Sequence, residues 1–315
     1  MSIQLAESSI WDRVEMTMPN DASVSVIVVC YYAGPSLKTC LTTLELDDQV
    51  NEVIVVCNGD RAFSVDLLRD YCNEHKKFRL VEGQGNVGFA QGANLGARFA
   101  TGDRFLFLNP DAILRRGSIA ALEMAAENLS EPWIVGGRVF NSDGSEQRGA
   151  RRRLPGPVSS LATFMNLSAV HRFVEGVNHH RRPVPSGPVP TPVVSGAMMY
   201  MSRTGFEKLG GFDGQYFLHV EDIDICRRAK EHEGGEVVFT PLAGAMHYSG
   251  TSKSSKFKVE WEKAKGFGIY FRKFSASPVT RSLATLSVPI IAGLLFARIA
   301  FRALTGSNHT GAGHA

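Results

Sequence analysis

The stretch Val24–Cys30 reads VSVIVVC, and a second apolar run, VIVVC, follows at 53–57. Short uncharged runs rich in β-branched residues are typical of strands buried on both faces of a parallel sheet. Between them, Ser36–Leu46 has the pattern of a crossover helix. This strand–helix–strand unit predicts an α/β fold, in which ligands bind at the carboxyl ends of the strands.

The alternation continues along the chain and predicts a Rossmann-like, mostly parallel sheet flanked by helices. Further strands are expected at Phe78–Glu82, Phe105–Leu108, Val193–Met201 and Glu236–Thr240. Further helices are expected at Val65–His75, Phe89–Ala100, Arg203–Leu209 and from about Asp222. The stretch Arg148–Pro192 has weak periodicity and is interpreted as a loop-and-helix excursion. We expect residues 1–250 to form the catalytic domain and residues 251–315 a helical extension.

Composition narrows the class of protein. The net charge of +3 over 315 residues is too small to indicate a nucleic-acid partner. The five cysteines are scattered, with no CxxC spacing, which favours a reducing compartment over a disulfide scaffold. We therefore expect a cytoplasmic location.

The C-terminal part has an uncharged apolar segment. Ser282–Ala297 lies between Arg281 and Arg298 and contains sixteen residues, fewer than the about twenty that span a bilayer. An amphipathic, apolar helix lying on the inner face of the cell membrane is the favoured interpretation. A helix that packs against the core or a partner is the alternative, and an oligomer remains open.

Two motifs follow predicted strands. In Asn109-Pro-Asp111 the proline ends the strand and exposes Asp111, whose hard oxygens suit a divalent cation. An ordinary turn explains the same three residues. In the second motif, the eight residues FLHVEDID at Phe217–Asp224, three carboxylates occur within four positions. They suit a solvated turn, a metal cage or the base of a reaction.

The glycine-rich stretch 83–96 reads GQGNVGFAQGANLG. It contains GxGxxG, but it follows the third strand and lacks the later acid of a dinucleotide site. Three glycines spaced four residues apart, beginning at Gly88, share one helical face at a cost of about 1 kcal/mol each. Either the helix packs tightly on the sheet, or a nucleotide or sugar approaches it with the amides of Asn86 and Asn94 contributing.

Taken in order, these motifs resemble a known family. The ordered set is VSVIVV, IVVCN, NVGFAQGANLG, FLFLNPDA, VVSGAMMYMSRTGFEKLGGFDGQYFLHVEDIDICRR and a late His247. The chain from about Val24 to His247 is similar to the inverting glycosyltransferases of family 2, particularly to bacterial rhamnosyltransferases. The resemblance implies a GT-A fold and a nucleotide-diphospho-sugar donor.

The resemblance also implies a divalent cation, Mg²⁺ or Mn²⁺, at a DxD-like motif. Here Asn109 stands where the first acid is expected, so Asp111 would hold the metal with His247 of GAMHYSG as a further ligand. A structural histidine is the alternative for His247. The family commonly has an aspartate where this chain has Cys57, so we expect base recognition to depend on Asn58, Asp60 or the Tyr31/Tyr32 segment.

Roles for the remaining residues follow from the same resemblance. The SGA segment at Ser195–Ala197 is expected to leave room for donor and acceptor. Independently of the resemblance, the charge of the arginines at 148–153 suits the diphosphate of the donor or the phosphates of the acceptor. The residues expected to bind the donor are Tyr31, Asn58, Asp60, Asn86, Gly88, Gln91, Asn94, Asn109, Asp111, Ser195, Gly196, Arg151 and Arg152.

Inverting transfer needs a base for the acceptor hydroxyl. The resemblance assigns Asp222 to that role, with Glu221 as the rival or as a group that binds the acceptor. Asp224 is expected to cap the next helix or to bind Arg227 or Arg228.

The expected reaction moves L-rhamnose from dTDP-L-rhamnose to a saccharide or polyprenyl-linked acceptor in bacterial surface-polysaccharide assembly. The alternatives are a UDP-sugar transferase such as a galactofuranosyltransferase, a nucleotidyltransferase, and a catalytically silent nucleotide-sugar-binding protein.

Overall fold

A computed structural model describes residues 22–31, 34–59, 62–156, 177–180, 182–248 and 255–304. The strands in these residues are β1 Val24–Cys30, β2 Glu52–Cys57, β3 Phe78–Val81, β4 Arg104–Leu108, β5 Ala112–Leu114, β6 Trp133–Phe140, β7 Arg151–Arg152, β8 Val189–Pro190, β9 Val193–Val194, β10 Met198–Ser202 and β11 Glu236–His247. The helices are α1 Ser36–Glu45, α2 Ala62–Glu74, α3 Phe89–Phe99, α4 Ser118–Ala126, α5 Arg203–Lys208, α6 Glu221–Glu231, α7 Lys256–Lys273 and α8 Pro278–Leu304.

The main sheet has the strand order β3-β2-β1-β4-β10-β6-β11-β5, with β8 added on β11. The four strands β3, β2, β1 and β4 run parallel, as the sequence predicts. Beyond β4 the sheet is mixed, because β10 runs antiparallel between β4 and β6. Every residue of β1 is buried, which explains its uninterrupted apolar run.

Most predicted elements end within a few residues of the observed ones, and two strands differ. The predicted strand Val193–Met201 is broken into β9 and β10 by a turn in which Met198 N–H donates to Ser195 O at 3.2 Å. The predicted strand Glu236–Thr240 continues to His247 as β11, with a register shift against β6 after Thr240. Both differences bring polar residues to the same edge of the sheet.

Glycines let α3 lie close to β1 and β2. A Cβ at Gly96 would lie 2.6 Å from Ile27 Cγ2, and one at Gly92 would lie 2.9 Å from Val29 Cγ1. Tight helix–sheet packing therefore explains these two glycines. Gly88 differs, because its φ is +84° and a Cβ there would meet the main chain of Phe217. Its neighbour Phe89 donates its N–H to the Phe217 carbonyl at 2.8 Å.

The last two described helices form a hairpin. Gly268 of α7 gives room to Val288 of α8, and Ala284, Ile291 and Ala292 of α8 are buried. The hairpin thus packs α8 along α7 through small and aliphatic side chains.

In the part of the chain that the structure describes, no helix is both long and apolar enough to cross a membrane.

Candidate active site

Asp111 and His247 meet at the edge where β4 and β11 end and β5 begins. His247 is the last residue of β11 and pairs with Ala112 of β5, the residue after Asp111. Its Nε2 atom lies 2.9 Å from Asp111 Oδ1 and 3.1 Å from Asn109 Nδ2. The Asp111 residue is only 7% exposed. A buried carboxylate and an imidazole nitrogen thus face each other, as the sequence predicts.

This pair fits a divalent cation. Two ligands in adjacent octahedral positions, each about 2.1 Å from Mg²⁺, are separated by about 3.0 Å, close to the observed spacing. Carboxylate oxygen and imidazole nitrogen are both ligands of Mn²⁺ and related ions. Among the described residues no group of three or more His, Cys, Asp or Glu side chains could hold a metal. A cation on this pair would take its remaining ligands from water or a donor diphosphate.

Glu221 and Asp222, here called the ED segment, are the first two residues of α6 and follow a turn with left-handed backbone. His219 and Val220, just before Glu221, have φ values of +67° and +75°. Left-handed backbone is rare for β-branched residues such as valine and costs free energy, so packing must hold the turn. Gly266 of α7 supplies that packing, since a Cβ there would lie 3.0 Å from Val220 Cγ2 and 3.2 Å from His219 O.

Asp222 is held by three donors. Its Oδ2 atom accepts hydrogen bonds from Arg152 Nη2 and from the Gly196 N–H at 3.1 Å. Its Oδ1 atom accepts from the Ile223 N–H at 2.8 Å. The carboxylate is therefore fixed in position by the turn between β9 and β10 and by an arginine of β7.

Glu221 has a different environment from its neighbour. Burial, and after it the negative charge of Asp222, raise the pKa of Glu221 to about 8. Its Oε2 atom is buried without a hydrogen-bond partner. Glu221 is therefore protonated at neutral pH.

Asp224 has a structural role. It is fully buried and accepts hydrogen bonds from Arg228 Nε at 2.6 Å and Tyr216 Oη at 3.1 Å. Lys273 Nζ of α7 lies 2.8 Å from its Oδ1 atom. The predicted pairing with Arg228 is confirmed, and the same carboxylate also ties α6 to α7.

One cleft of about 380 Å³ joins several of the predicted site residues. Those on its wall are Asn109, Arg152, Ser195, Gly196, Glu221, Asp222 and His247. The wall also contains Phe267 of α7, which sequence reasoning missed, and Lys263 of α7, a member of the lysine cluster at 253–265 whose charge suits phosphate groups or an anionic membrane surface. The sequence had placed both in a separate extension, and only the packing of α7 on the turn at His219 brings them here.

The predicted base-binding residues lie at the ends of β1 and β2. Asn58 is buried and donates to Gly88 O at 2.8 Å, which links β2 to the start of α3. The ring of Tyr31 lies beside Gly59, 3.8 Å from where a Cβ would be. Asp60 and Tyr32 lie outside the described residues. The contacts of Asn58 show a connecting role, and a contact with a nucleotide base stays a prediction.

Three predicted donor ligands on and before α3 bind the protein's own main chain. Asn94 both donates to Phe212 O at 2.7 Å and accepts from Phe212 N–H at 2.9 Å. Gln91 donates to Gly214 O at 3.1 Å, and Asn86 accepts from the Gly88 N–H at 3.1 Å. The amides of Asn94 and Gln91 secure the loop that leads to Glu221 and Asp222, whereas the amide of Asn86 bonds within the segment just before α3.

The two arginines of β7 diverge. Arg152 reaches the cleft, whereas the buried Arg151 donates to Glu146 Oε1 at 2.8 Å and to the carbonyl oxygens of Arg182 and Pro183. Alternation along a strand sends successive side chains to opposite faces, so only one of the pair reaches the cleft. Binding of a diphosphate by Arg151 stays a prediction that its present contacts do not favour.

Several relatives align with most of the chain. The hexosyltransferase Agl10 of low-salt glycan biosynthesis in Haloferax volcanii is 25% identical over 92% of this chain and 88% of its own. The rhamnosyltransferase WbbL of Escherichia coli is 26% identical over 79% and 93% of the two chains. An N-acetylglucosaminyl-diphospho-decaprenol L-rhamnosyltransferase of Mycobacterium tuberculosis is 26% identical over 72% and 76%.

Solved structures share the fold at lower identity. GalNAc-T7 with UDP, GalNAc and Mn²⁺ has a TM-score of 0.58 at 14% identity, and the match covers 91% of this chain and 58% of that longer one. The mannosyltransferase PcManGT of Pyrobaculum calidifontis with GDP-Man and Mn²⁺ has a TM-score of 0.55 at 17% identity, over 96% and 83%. The family model for glycosyl transferase family 2 matches residues 25–210. The chain therefore belongs to glycosyltransferase family 2, and its fold is that of the GT-A glycosyltransferases.

Proposed function

We propose that this glycosyltransferase moves L-rhamnose from dTDP-L-rhamnose, with inversion, to a saccharide or polyprenyl-linked acceptor in cell-surface polysaccharide assembly. The observation that carries the proposal is one cleft in which Asp222 shares a wall with His247, the partner of Asp111. Two relatives, a rhamnosyltransferase and a rhamnosyltransferase acting on a decaprenol-linked sugar, support the choice of donor and acceptor.

In the proposed reaction Asp222 takes the proton from the acceptor hydroxyl as that oxygen attacks the anomeric carbon. A single displacement of this kind gives inversion, and the leaving group is the nucleotide diphosphate. The Gly196 N–H and Arg152 hold the carboxylate in place while it acts. Glu221, buried beside it, holds its proton at neutral pH and is therefore the weaker candidate for the base.

Asp111 and His247 would hold Mg²⁺ or Mn²⁺ at the donor side, with Asn109 beside them. When bound, such a cation offsets the charge that develops on the departing diphosphate. Around the same cleft, Arg152 and Lys263 place positive charge where phosphate groups of a donor or a lipid-linked acceptor would lie. Ser195 and Gly196 leave the space between these two regions open.

The exposed face of α8 supports association with the inner face of the cell membrane. Four large aliphatic residues, Val279, Leu283, Leu286 and Ile290, are 59–69% exposed. Their spacing of four, three and four residues places them on one face, opposite the buried residues that contact α7. The helix contains no acidic residue, which suits an anionic lipid surface.

Ligand-induced stabilisation tests the donor and the metal together. The full chain is heated with dTDP-L-rhamnose, UDP-galactofuranose or no nucleotide, each with Mn²⁺, Mg²⁺ or EDTA. We expect the largest rise in Tm with dTDP-L-rhamnose and a divalent cation, because a ligand that binds the folded state stabilises it. A larger rise with the UDP-sugar would favour the alternative donor.

Substitution of the acids tests the chemistry. Asp222→Asn is expected to lower transfer by 10²–10⁴-fold, the usual contribution of a general base, and to leave the donor-induced rise in Tm in place. Asp111→Asn is expected to remove both the transfer and the metal-dependent part of that rise. The matched control is Asp48→Asn, at an exposed acid in the loop after α1. Full transfer by Asp222→Asn would overturn the assignment of the base. Donor binding without turnover by the parent chain would favour the silent protein.

A further inference from the structure

A run of hydrogen bonds leads from an exposed carboxylate to the ring of His247. Ser145 Oγ donates to Asp143 Oδ1 at 2.6 Å, and Asn141 Nδ2 donates to Ser145 Oγ at 2.9 Å. Gln147 Nε2 donates in turn to Asn141 Oδ1 at 3.2 Å. Gln147 Oε1 lies 2.6 Å from Nδ1 of His247. All four residues before the histidine belong to the loop that follows β6.

The direction of this run is fixed at its outer end. The hydroxyl and the N–H of Ser145 hold the pKa of Asp143 below its usual value, so the carboxylate is ionised at neutral pH and only accepts. Ser145 must then donate to it and accept from the Asn141 amide nitrogen. That bond leaves the Asn141 oxygen for Gln147, whose own oxygen is left for His247.

A second contact fixes the Gln147 amide independently. Its Nε2 atom lies 3.3 Å from the main-chain oxygen of His247, and a carbonyl oxygen only accepts. The amide therefore holds His247 at two points, the main-chain oxygen and the ring nitrogen Nδ1. Both contacts require the same orientation, with Oε1 directed at the ring.

An acceptor at Nδ1 determines what the other ring nitrogen does. When Nδ1 carries the proton of a neutral imidazole, Nε2 has a free lone pair. That lone pair is directed at Asp111 Oδ1, 2.9 Å away, and Asn109 Nδ2 lies on the same side at 3.1 Å. The Nε2 atom of His247 and the Oδ1 atom of Asp111 would both be acceptors at 2.9 Å, and a cation that binds both atoms stabilises this arrangement.

We propose that Gln147 is a positioning residue, which acts with Asn141, Ser145 and Asp143 to hold His247 in the tautomer whose Nε2 atom binds the cation. The inference rests on the metal site of the proposed function. Partners that hold the second nitrogen of a metal-binding histidine fix the ring and tune its affinity for metal. Here the partner of the second nitrogen is the neutral amide of Gln147, whose orientation is set through the hydrogen bonds that begin at the Asp143 carboxylate.

The loop itself does not need the Gln147 side chain. Its ends are already joined by main-chain bonds, from Asn141 N–H to Ser145 O and from Gln147 N–H to Val139 O, each 2.9 Å long. A tight turn is closed by the Gly144 N–H, which donates to Asn141 O at 2.9 Å. Replacing the side chain should therefore leave the loop in place and change only its contacts with His247.

Manganese binding by the full chain tests the proposal without any turnover. MnCl₂ alone is titrated into the parent chain, Gln147→Leu and Gln147→Glu, with free Mn²⁺ followed by electron paramagnetic resonance. We expect Gln147→Leu to raise the Kd for Mn²⁺ by about 10–100-fold, the usual cost of losing such a partner. Gln147→Glu keeps an acceptor at Nδ1 and is expected to bind within about threefold of the parent, or more tightly.

The matched control is Gln49→Leu, because Gln49 also accepts a hydrogen bond through its side chain, from the Ala120 N–H at 3.2 Å, far from the cleft. We expect its Kd for Mn²⁺ to equal that of the parent. Thermal unfolding without metal shows whether a variant has simply lost its fold. Equal Mn²⁺ affinity in Gln147→Leu and the parent would overturn the positioning role.

Nitrogen NMR of ¹⁵N-histidine-labelled chain, without metal and at mildly alkaline pH, reads the tautomer directly. The signal of His247 is assigned by its loss in His247→Gln. We expect a proton on Nδ1 in the parent chain and a mixture of tautomers in Gln147→Leu. If the parent binds no Mn²⁺, the metal site of the proposed function is wrong, and the NMR result alone decides whether Gln147 orients the ring. A proton on Nε2 in the parent chain would contradict the inference.

Discussion

Arg152 and Asp222, seventy positions apart in the chain, form a hydrogen-bonded ion pair on the wall of the cleft. The arginine comes from β7, which pairs with β9 just before the Ser195–Ala197 turn. The proposed base is therefore held in position, and its Oδ2 atom is already paired with the guanidinium group of Arg152. An acceptor hydroxyl has to share or replace that contact before it can lose its proton.

Arg152→Gln should weaken transfer more than it weakens folding. Loss of a hydrogen bond to a charged group costs about 1.5–3 kcal/mol, or roughly 10–100-fold in kcat/KM for the acceptor. The control is Arg69→Gln, whose arginine makes exposed ion pairs with Asp66 and Glu82. Steady-state kinetics at varied acceptor concentration gives kcat/KM for Arg152→Gln and for the control, and we expect only the first to fall. Faster transfer by Arg152→Gln would mean that the arginine obstructs the base.

Glu221→Gln should become more stable than the parent chain as the pH rises. The folded-state pKa of about 8 lies above the ordinary value of 4.5, so the folded chain holds this proton more tightly than the unfolded chain. The stability that Glu221 contributes is fully present below about pH 4.5 and is lost as the pH rises through 8. Between about pH 4.5 and 8 the free energy of unfolding of the parent falls by up to about 1.4 kcal/mol per pH unit relative to that of the variant.

Chemical denaturation of both chains at several values between pH 5 and 9 measures this difference. Glu127→Gln, at an exposed glutamate, serves as the control. Denaturation midpoints of Glu221→Gln that run parallel to those of the parent at every pH would show that Glu221 is already ionised in the folded chain.

Alanine at Gly96 of α3 and at Gly88, the residue just before α3, should have different consequences. Gly96→Ala places a methyl group 2.6 Å from Ile27 Cγ2 and is expected to cost about 1–3 kcal/mol through overpacking, with kcat unchanged in the folded fraction. Gly88→Ala adds strain at a φ of +84° and pushes on the Phe217 main chain, four residues before Glu221. We expect it to lower kcat as well. Equal kcat in the two variants would show that Gly88 does not position the ED segment.

Local patterns explain why the fold could be predicted. The apolar runs of β1 and β2 and the glycine spacing of α3 each reflect packing within one βαβ unit, so a short stretch is enough to identify them. The family resemblance predicted Asp111 and His247 as metal ligands, which stays a prediction, and the pairing of His247 with Ala112 explains why the two side chains lie close together. Gln147 lies in a charged, glycine-containing stretch with no periodicity, and only the alignment of β6 with β11 brings it to His247.

Charge on the outer face of α8 should reduce membrane binding without unfolding the chain. Leu286→Glu combined with Ile290→Glu is expected to lower sedimentation with vesicles containing phosphatidylglycerol at least tenfold, because each charge must be kept out of the apolar region. The change in unfolding free energy should stay near 0.5 kcal/mol, as for most exposed sites. Leu46→Glu, at a leucine that is 76% exposed in another region, is the control. Unchanged sedimentation would remove the proposed membrane role.

The packing of α7 on the turn at His219 and Val220 has a consequence for how such enzymes diversify. Lys263 and Phe267 form part of the cleft wall, and Gly266 supports the left-handed turn before the acids. A recombinant chimera joined near residue 250 would therefore exchange part of the cleft together with the C-terminal helices. We expect such hybrids to take their acceptor preference from the parent protein that supplies the C-terminal piece. Their nucleotide preference should remain that of the parent that supplies the N-terminal piece.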